Sequence, residues 1–164
     1  FGTGHHDTTW LMIRTLLELD LEGKKVLDMG CGTGVLALTA LKLKASFVLA
    51  IDIEEGAYEN TLSNAALNGY VNEERLCVKC GDADLLTQDL HHDIILANIN
   101  RNILLKDLES YDKVLNVGGN IVLSGFFTGD VPVLEEAIEN MGWELMEVAE
   151  SDGWACILCG KTQF

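Results

Sequence analysis

The sequence is poor in proline, in basic residues and in long apolar segments. It has one proline in 164 residues and no low-complexity tract, so nothing indicates a long disordered linker. No run approaches the ~18 consecutive apolar residues of a transmembrane helix. Lysine and arginine total 11, against 26 acidic residues, for a formal net charge of −15. A surface this acidic disfavours direct contact with nucleic acid.

The beginning of the chain lacks both a methionine and a secretory pattern. Phe1 comes first, and no basic segment leads into an apolar stretch, so we expect no signal peptide and interpret the chain as a fragment or a processed product. The five cysteines are an odd number, which favours reduced thiols and a cytoplasmic location. From the length we predict one domain over 1–164, and we expect a monomer that binds no membrane. The negative charge would attract a basic partner, although it could serve solubility alone.

Short apolar runs alternate with longer helical patterns along the chain. The predicted helices are 8–19, 35–43, 55–67, 103–115 and 131–141, and the predicted strands are 25–28, 47–52, 75–80, 93–97, 120–124, about 144–149 and 154–159. This alternation predicts an α/β fold with a mostly parallel, seven-stranded sheet and helices on both faces. The last two strands have no helix between them, so we expect an antiparallel hairpin at one edge.

Three glycines follow the first strand and open the next helix, in the order D-M-G-C-G-T-G. Gly30, Gly32 and Gly34 would let a ligand approach the backbone, and we expect the N–H groups of this loop to point outward. A dinucleotide site requires G-x-G-x-x-G, but the sixth position from Gly30 is Val35. The pattern instead favours S-adenosylmethionine, whose ammonium group suits the carboxylate of Asp28.

Acidic residues after the second and third strands complete this candidate cofactor site. Asp52 ends the second strand, where a carboxylate can accept both ribose hydroxyls; the alternative is a solvated loop acid. Ile53 could lie against the adenine ring. Asp82 could bind the adenine amino group, or it could cap a helix N-terminus.

Four segments together resemble the PrmA family of ribosomal protein L11 methyltransferases. They are the opening F-G-T-G-H-H-D-T-T, the glycine loop, L-A-N-I-N after the fourth strand and S-G-F after the fifth. The resemblance covers essentially the whole chain. It implies a Rossmann-like class I methyltransferase fold, S-adenosylmethionine as cofactor and S-adenosylhomocysteine as product. It also implies methylation of a lysine ε-amine or an N-terminal α-amine on a basic ribosomal protein.

The resemblance further implies roles for individual residues. Thr9 matches a threonine that contacts the cofactor, although it could be ordinary first-turn helix chemistry. Gly30 matches the cofactor glycine and Asp52 the ribose acid. Asn98 matches an asparagine beside the transferring methyl, which we take as the catalytic residue and also as one that contacts the cofactor; the alternative is a turn residue at a strand end. The segment 1–9 looks like one that folds over the cofactor.

Other functions stay open at this point. Family members carry an N-terminal recognition domain that we expect to be absent here, so the chain could bind S-adenosylmethionine without turnover. It could also methylate another protein or a small molecule. The N-I-N-R sequence from Asn98 lacks the prolines and aromatic ring of enzymes that methylate nucleobase amines, which counts against a nucleobase target.

We expect no metal site. Two C-x-x-C-G motifs start at Cys77 and Cys156, but residues three apart on a strand face opposite sides, and the two strands should lie near opposite edges of the sheet. The histidine pairs 5–6 and 91–92 lack the i, i+4 spacing of a helical metal site, and we expect the second pair at the surface. Cys31, in the glycine loop, could be reactive.

The three tryptophans are expected to pack rather than to stack on substrate. They are Trp10, Trp143 and Trp154. Of these, Trp154 should come nearest to the active-site side of the sheet.

Overall fold

A computed structural model describes residues 6–162 of the chain. The helices are α1 (His6–Leu17), α2 (Val35–Lys42), α3 (Glu55–Leu67), α4 (Arg101–Val114) and α5 (Val131–Asn140). The strands are β1 (Lys25–Met29), β2 (Phe47–Asp52), β3 (Leu76–Cys80), β4 (His92–Asn98), β5 (Leu115–Phe127), β6 (Glu144–Ser151) and β7 (Trp154–Gly160). Short 3-10 helices lie at Ala83–Leu85 and Thr128–Asp130.

All seven strands form one sheet in the order β3-β2-β1-β4-β5-β7-β6. The first five strands pair in parallel, and β7 runs antiparallel to both of its neighbours. The prediction of a seven-stranded, mostly parallel sheet with a closing antiparallel hairpin is therefore confirmed. The chain order reverses between β1 and β4, and ligands of open α/β sheets bind beside the carboxyl ends of strands at such a point.

The core has two layers because successive strand residues face opposite sides of the sheet. One layer joins strand residues such as Leu27, Ile95 and Ile121 to α4 and α5. The other joins Val26 and Leu96 to α1 and α2. Burial of the central strands on both faces explains why their sequences are nearly continuous apolar runs.

The boundary between α4 and β5 differs from the prediction. We expected a helix that ends at 115 and a strand that begins at 120. The helix ends at Val114, close to the prediction, but the strand begins at once with Leu115. The Nζ of Lys161 donates to the carbonyls of Asp112 and Leu115, at 2.8 and 3.0 Å. A side chain distant in sequence thus satisfies carbonyls at the helix end, which no local pattern could reveal.

Two expectations about ring side chains are wrong. His92 is buried rather than at the surface, and neither of its ring nitrogens has a hydrogen-bond partner among the described residues. Burial lowers the pKa of His92 to about 4, so the ring stays neutral. Trp10 is exposed rather than packed, with the Arg14 guanidinium 5.5 Å from its ring centroid. Trp143 is buried as expected, and its Nε1 donates to Asp112 at 2.8 Å.

Between residues 6 and 162, no helix combines the length and the apolar character needed to cross a membrane.

Candidate cofactor and active site

A cavity of about 260 Å³ lies at the carboxyl ends of β1, β2 and β4. Its walls include Gly30 after β1, Asp52 at the end of β2 and Asn98 at the end of β4. Asp82, after β3, and Ile103, on α4, line it as well. The fold therefore brings together residues that the sequence separates by up to about 70 positions.

The backbone amides of the glycine loop point into the protein. The N–H groups of Gly30 and Cys31 both donate to the carbonyl of Ile51, at 2.8 and 3.1 Å. The Gly32 N–H donates to Oδ2 of Asp52 at 2.9 Å. The expectation that the loop presents free N–H groups outward is therefore wrong for these three residues, because β2 accepts all three hydrogen bonds.

Gly32 and Gly34 serve different purposes. Gly32 has φ +56°, lines the cavity, and a Cβ built on it would meet no atom within 4 Å; its open face lets a ligand approach the backbone. Gly34 has φ +84°, and a Cβ there would lie 2.8 Å from the Thr61 methyl carbon. Gly34 does not line the cavity, and it allows α3 to pack against the loop.

Two residues of α3 that sequence reasoning missed hold this loop in place. Thr61 is buried, and its hydroxyl donates to the carbonyl of Gly32 at 3.2 Å. Asn64 donates from its amide nitrogen to the Thr33 carbonyl at 2.8 Å. The sequence does contain a signal for Thr61. Small residues recur every four positions at Ala57, Thr61 and Ala65, and these three residues form the buried face of α3.

The Asp52 carboxylate is positioned by two backbone amides. Its Oδ2 accepts from Gly32, and its Oδ1 accepts from Glu54 at 3.0 Å. Each carboxylate oxygen keeps a further lone pair, so the group can still accept hydrogen bonds from a ligand. The next residue, Ile53, is 73% exposed and lines the cavity, which gives the site an apolar surface at its rim.

Asp82 caps a helix, as one of the two sequence-based interpretations had it, and its binding of the adenine amino group stays a prediction. Its Oδ1 accepts from the backbone N–H of Asp84 at 2.9 Å and so caps the 3-10 helix Ala83–Leu85. The residue also lines the cavity, and its second oxygen has no partner in the described part of the chain.

Asp28 lies behind the loop rather than in the cavity wall. It is 1% exposed, and neither carboxylate oxygen has a hydrogen-bond partner among residues 6–162. Burial raises its pKa to about 7; the nearby backbone of Ala37 opposes this rise and the charge of Asp52 adds to it. A cation placed next to Asp28 would therefore be strongly favoured.

This environment predicts an unusual pH dependence of stability. The pKa of Asp28 is higher in the folded protein than its ordinary 3.8, so stability falls as the pH rises from about 4 through 7. The loss approaches about 4 kcal/mol, since one pKa unit corresponds to about 1.4 kcal/mol. Urea unfolding should therefore show Asp28→Asn to be more stable than the wild type at pH 8 but nearly equal to it at pH 4.5. The exposed Glu18 supplies the control variant Glu18→Gln; a pH-independent effect of Asp28→Asn would contradict the assignment.

Asn98 presents an unused acceptor at the end of β4. The residue is 9% exposed and lines the cavity, and its Oδ1 is buried with no partner in the described residues. Its strand position is fixed by β5. Asn98 pairs with Ser124 of β5, whose hydroxyl donates to the Ala155 carbonyl at 2.7 Å. Ile99 donates its N–H to the Ser124 carbonyl at 3.0 Å.

Three further residues that the sequence analysis singled out, Thr9, Cys31 and Trp154, do not line the cavity. Thr9 is half-buried in the first turns of α1 and does not line it, and residues 1–5 of the proposed covering segment lie outside the described residues. Cys31 is buried, which raises its thiol pKa to about 12, so the expectation of reactivity is wrong. Trp154 stacks on Phe127 with ring centroids 4.3 Å apart. This pair lies at the carboxyl end of β5, on the same side of the sheet's strand ends as the cavity.

The two C-x-x-C motifs cannot converge. Cys77 and Cys80 lie on β3 at one edge of the sheet, and Cys156 and Cys159 lie on β7. The strands β2, β1, β4 and β5 separate them. Among the residues that the structure describes, no three His, Cys, Asp or Glu side chains are grouped to hold a metal ion.

Comparison with known proteins identifies the family. The model of the family "Ribosomal protein L11 methyltransferase (PrmA)" matches residues 1–162. The chain belongs to the PrmA family. A PrmA relative from Porphyromonas gingivalis is 51% identical over 157 residues, which cover 96% of this chain and 53% of the relative. A second, from Phocaeicola vulgatus, is 46% identical and is covered to 55%. The chain thus spans about half the length of the curated PrmA proteins it matches.

Solved structures agree with this membership. The ribosomal protein L11 methylase of Lactobacillus delbrueckii subsp. bulgaricus superimposes with a TM-score of 0.89 and 29% identity, covering 98% of this chain and 81% of that one. An S-adenosylmethionine dependent methyltransferase from Mesorhizobium loti gives a TM-score of 0.73 at 16% identity, over 93% of this chain and 97% of that one. The second comparison shows the fold alone. The class I methyltransferase fold predicted for this PrmA chain is confirmed.

Proposed function

We propose that this chain is the S-adenosylmethionine-binding, methyl-transferring domain of a protein methyltransferase that acts on ribosomal protein L11. The observation that carries the proposal is the placement of Asp52 and Asn98 in one cavity. One is a carboxylate already aligned by two loop amides, and the other is an amide oxygen left without a partner. Membership in the PrmA family supports the choice of reaction and substrate.

The residues present fit the cofactor. Asp52 would accept the ribose hydroxyls, Ile53 would pack against the base, and Gly32 would let the ligand lie against the backbone. Asp28 lies behind the glycine loop and would favour the ammonium group through its charge rather than by contact, because a nearby cation offsets the effect of burial on its ionisation. Together these groups supply the polar and apolar contacts and the negative charge that an amino acid nucleoside requires.

When bound, S-adenosylmethionine supplies an activated methyl group on its sulfonium. The chain then has to place an amine in line with that methyl and to exclude water. Asn98 is suited to orientation, since its Oδ1 can accept an N–H from the amine and so aim the lone pair. It is too weak a base to remove a proton.

The acceptor amine has to be neutral to react. We propose lysine ε-amines, or an N-terminal α-amine, as acceptors. A lysine with an ordinary pKa near 10.4 is mostly protonated at neutral pH, so it loses its proton to solvent before or while it enters the cavity. The apolar part of the cavity wall favours this loss, because desolvation disfavours the ammonium form.

The acidic surface suits a basic substrate. The net charge of −15 would accelerate encounter with a basic ribosomal protein and would make the rate fall with added salt. A ribosomal protein substrate also supports a cytoplasmic location for the reaction.

Two measurements test the proposal. Titration calorimetry with S-adenosylhomocysteine should give one site per chain, whereas NAD should not bind. Transfer of labelled methyl from S-adenosylmethionine to purified L11 should then be detected in mass spectra as increments on lysine or on the N-terminus. Binding without any transfer would support a cofactor-binding module, and binding of NAD alone would overturn the assignment.

A further inference from the structure

The chain segment that follows β4 forms one wall of the cavity and then turns into α4. Asn98, Ile99 and Asn100 line the cavity, and so does Ile103 in the first turn of the helix. Arg101, the first residue of α4, lies between them in sequence and does not line the cavity itself. A shift of this segment would therefore also move the side chain of Asn98.

Backbone contacts with β5 hold the first half of this segment. The N–H of Ile99 donates to the carbonyl of Ser124 at 3.0 Å. The pairing of β5 with β7 shifts between Ser124 and Phe126, and the residue between them, Gly125, has φ +98°. A Cβ on Gly125 would lie 2.6 Å from the carbonyl oxygen of Ile99, so glycine is needed for the two backbones to approach this closely. These contacts reach the chain one residue after Asn98.

An ion pair between side chains holds the second half of the segment. Nη1 of Arg101 donates to Oδ1 of Asp130 at 2.9 Å. The other carboxylate oxygen of Asp130 accepts the backbone N–H of Phe127 at 3.1 Å. Asp130 thus connects the start of α4 to the chain that leaves β5. Nε of Arg101 also donates to Asn102 at 3.3 Å, but Asn102 is the next residue on the same helix, so this contact does not reach β5.

The location of the ion pair is more informative than its strength. The side chains of Arg101 and Asp130 are 42% and 20% exposed, and ion pairs at such positions contribute little to the free energy of unfolding. A link beside a reacting group affects a rate more than it affects stability, because a small misplacement of that group slows the reaction strongly. This link lies three residues from Asn98.

We propose that Arg101 is a positioning residue for methyl transfer: its ion pair with Asp130 holds the segment after β4 so that Oδ1 of Asn98 meets the acceptor amine. This inference rests on the proposed function. In this role Arg101 contacts neither the amine nor the cofactor and acts through Asn98. Direct contact of Arg101 with a basic substrate is disfavoured, because like charges repel and its guanidinium already donates to Asp130.

Arg101→Met should lower the single-turnover rate of methyl transfer to L11 by about 5-fold, which corresponds to about 1 kcal/mol, the upper end for an exposed ion pair. The affinity for S-adenosylhomocysteine should change by less than about 2-fold, as expected when only the reacting geometry is lost. Arg101→Lys keeps the charge and should recover part of the rate. Lys113→Met removes an exposed cation from the last turn of the same helix and should leave the rate unchanged.

The decisive comparison repeats Arg101→Met in the Asn98→Ala background. A residue that acts through Asn98 has nothing left to position there, so the second substitution should lower the remaining rate by less than about 1.5-fold. An ion pair with a merely structural role would cost the same factor in both backgrounds. A second readout needs no turnover: the NMR signals of the Asn98 side-chain amide should shift in Arg101→Met and stay in place in Lys113→Met.

The outcomes separate this inference from the proposed function. If the wild type methylates L11 and Arg101→Met is equally fast, or loses the same factor in both backgrounds, Arg101 does not position Asn98 and the inference is overturned. If the wild type transfers no methyl to L11, the proposed function itself fails. Asp130→Asn removes the charge from the other side of the pair and should lower the rate in the same way, so it decides the question even if Arg101→Met does not fold.

Discussion

Replacing Asp52 with alanine should weaken binding of S-adenosylhomocysteine by at least about 100-fold. The carboxylate has two tasks: it accepts the Gly32 and Glu54 amides at 2.9 and 3.0 Å, and it would accept the ribose hydroxyls. Hydrogen bonds to a charged group contribute about 1.5–3 kcal/mol each. Loss of the ligand's pair alone therefore corresponds to two or more factors of ten in the dissociation constant, at about 1.4 kcal/mol for each factor.

The loop contacts make this effect larger than that of an ordinary binding residue. Without Asp52, the Gly32 N–H loses its acceptor, so the loop is also less well ordered before binding. Asp52→Asn separates the two tasks, because it keeps one acceptor oxygen but removes the charge, and it should lose less affinity than alanine. Glu55→Gln, at an exposed acid three residues on, is the matched control. Wild-type affinity in Asp52→Ala would refute the assignment of this carboxylate to the ribose.

The parts of the site that could be predicted are those fixed by local sequence and strand order. The parallel strands β1, β2 and β4 all end at one edge of the sheet. Residues that follow them, such as Gly30, Asp52 and Asn98, are therefore brought together whatever the details of packing. Strand alternation and the glycine pattern were sufficient for that inference.

The parts that could not be predicted depend on contacts between distant elements. Thr61 and Asp107 are single polar residues in helices, and only the packing of α3 and α4 against the loops shows what they face. The direction of the loop amides depends on the Ile51 carbonyl of β2. His92 is buried because β4 begins earlier than its apolar run and pairs at that position with Leu115. The residue pattern of a single segment carries no information about such pairs.

The described site holds four aspartates whose surroundings separate their roles. Asp52 is aligned by amides, and Asp82 caps a helix. Asp28 is buried without a hydrogen-bond partner among the described residues, Asp107 is mostly buried in the cavity wall, and burial raises the pKa of both. The first pair is ready to accept hydrogen bonds from neutral hydroxyl or amino groups, whereas the second pair gains most from a ligand that supplies a donor or a cation. A zwitterionic nucleoside with a sulfonium supplies all of these at once.

Asn98→Ala should lower the rate of methyl transfer to L11 by about 100-fold while changing the dissociation constant of S-adenosylhomocysteine by less than about 3-fold. The buried Oδ1 has no partner among the described residues, so removing it costs the protein no internal hydrogen bond. What is lost is the acceptor that aligns the amine, and a misplacement of about 1 Å can reduce a rate by about 100-fold. Single-turnover transfer of labelled methyl measures the rate, and calorimetry measures the affinity.

Two further variants make the assignment of Asn98 decisive. Asn98→Asp keeps an acceptor oxygen in the same place and should retain more activity than alanine. Asn102→Ala removes the same side chain from an exposed position four residues on and should leave both rate and affinity unchanged. A positioning role requires the split between rate and affinity, because the amine, and not the cofactor, is the partner of Oδ1. Parallel losses of rate and affinity in Asn98→Ala would instead make Asn98 a residue of the cofactor site, and the in-line orientation of the amine would then have to come from another side chain.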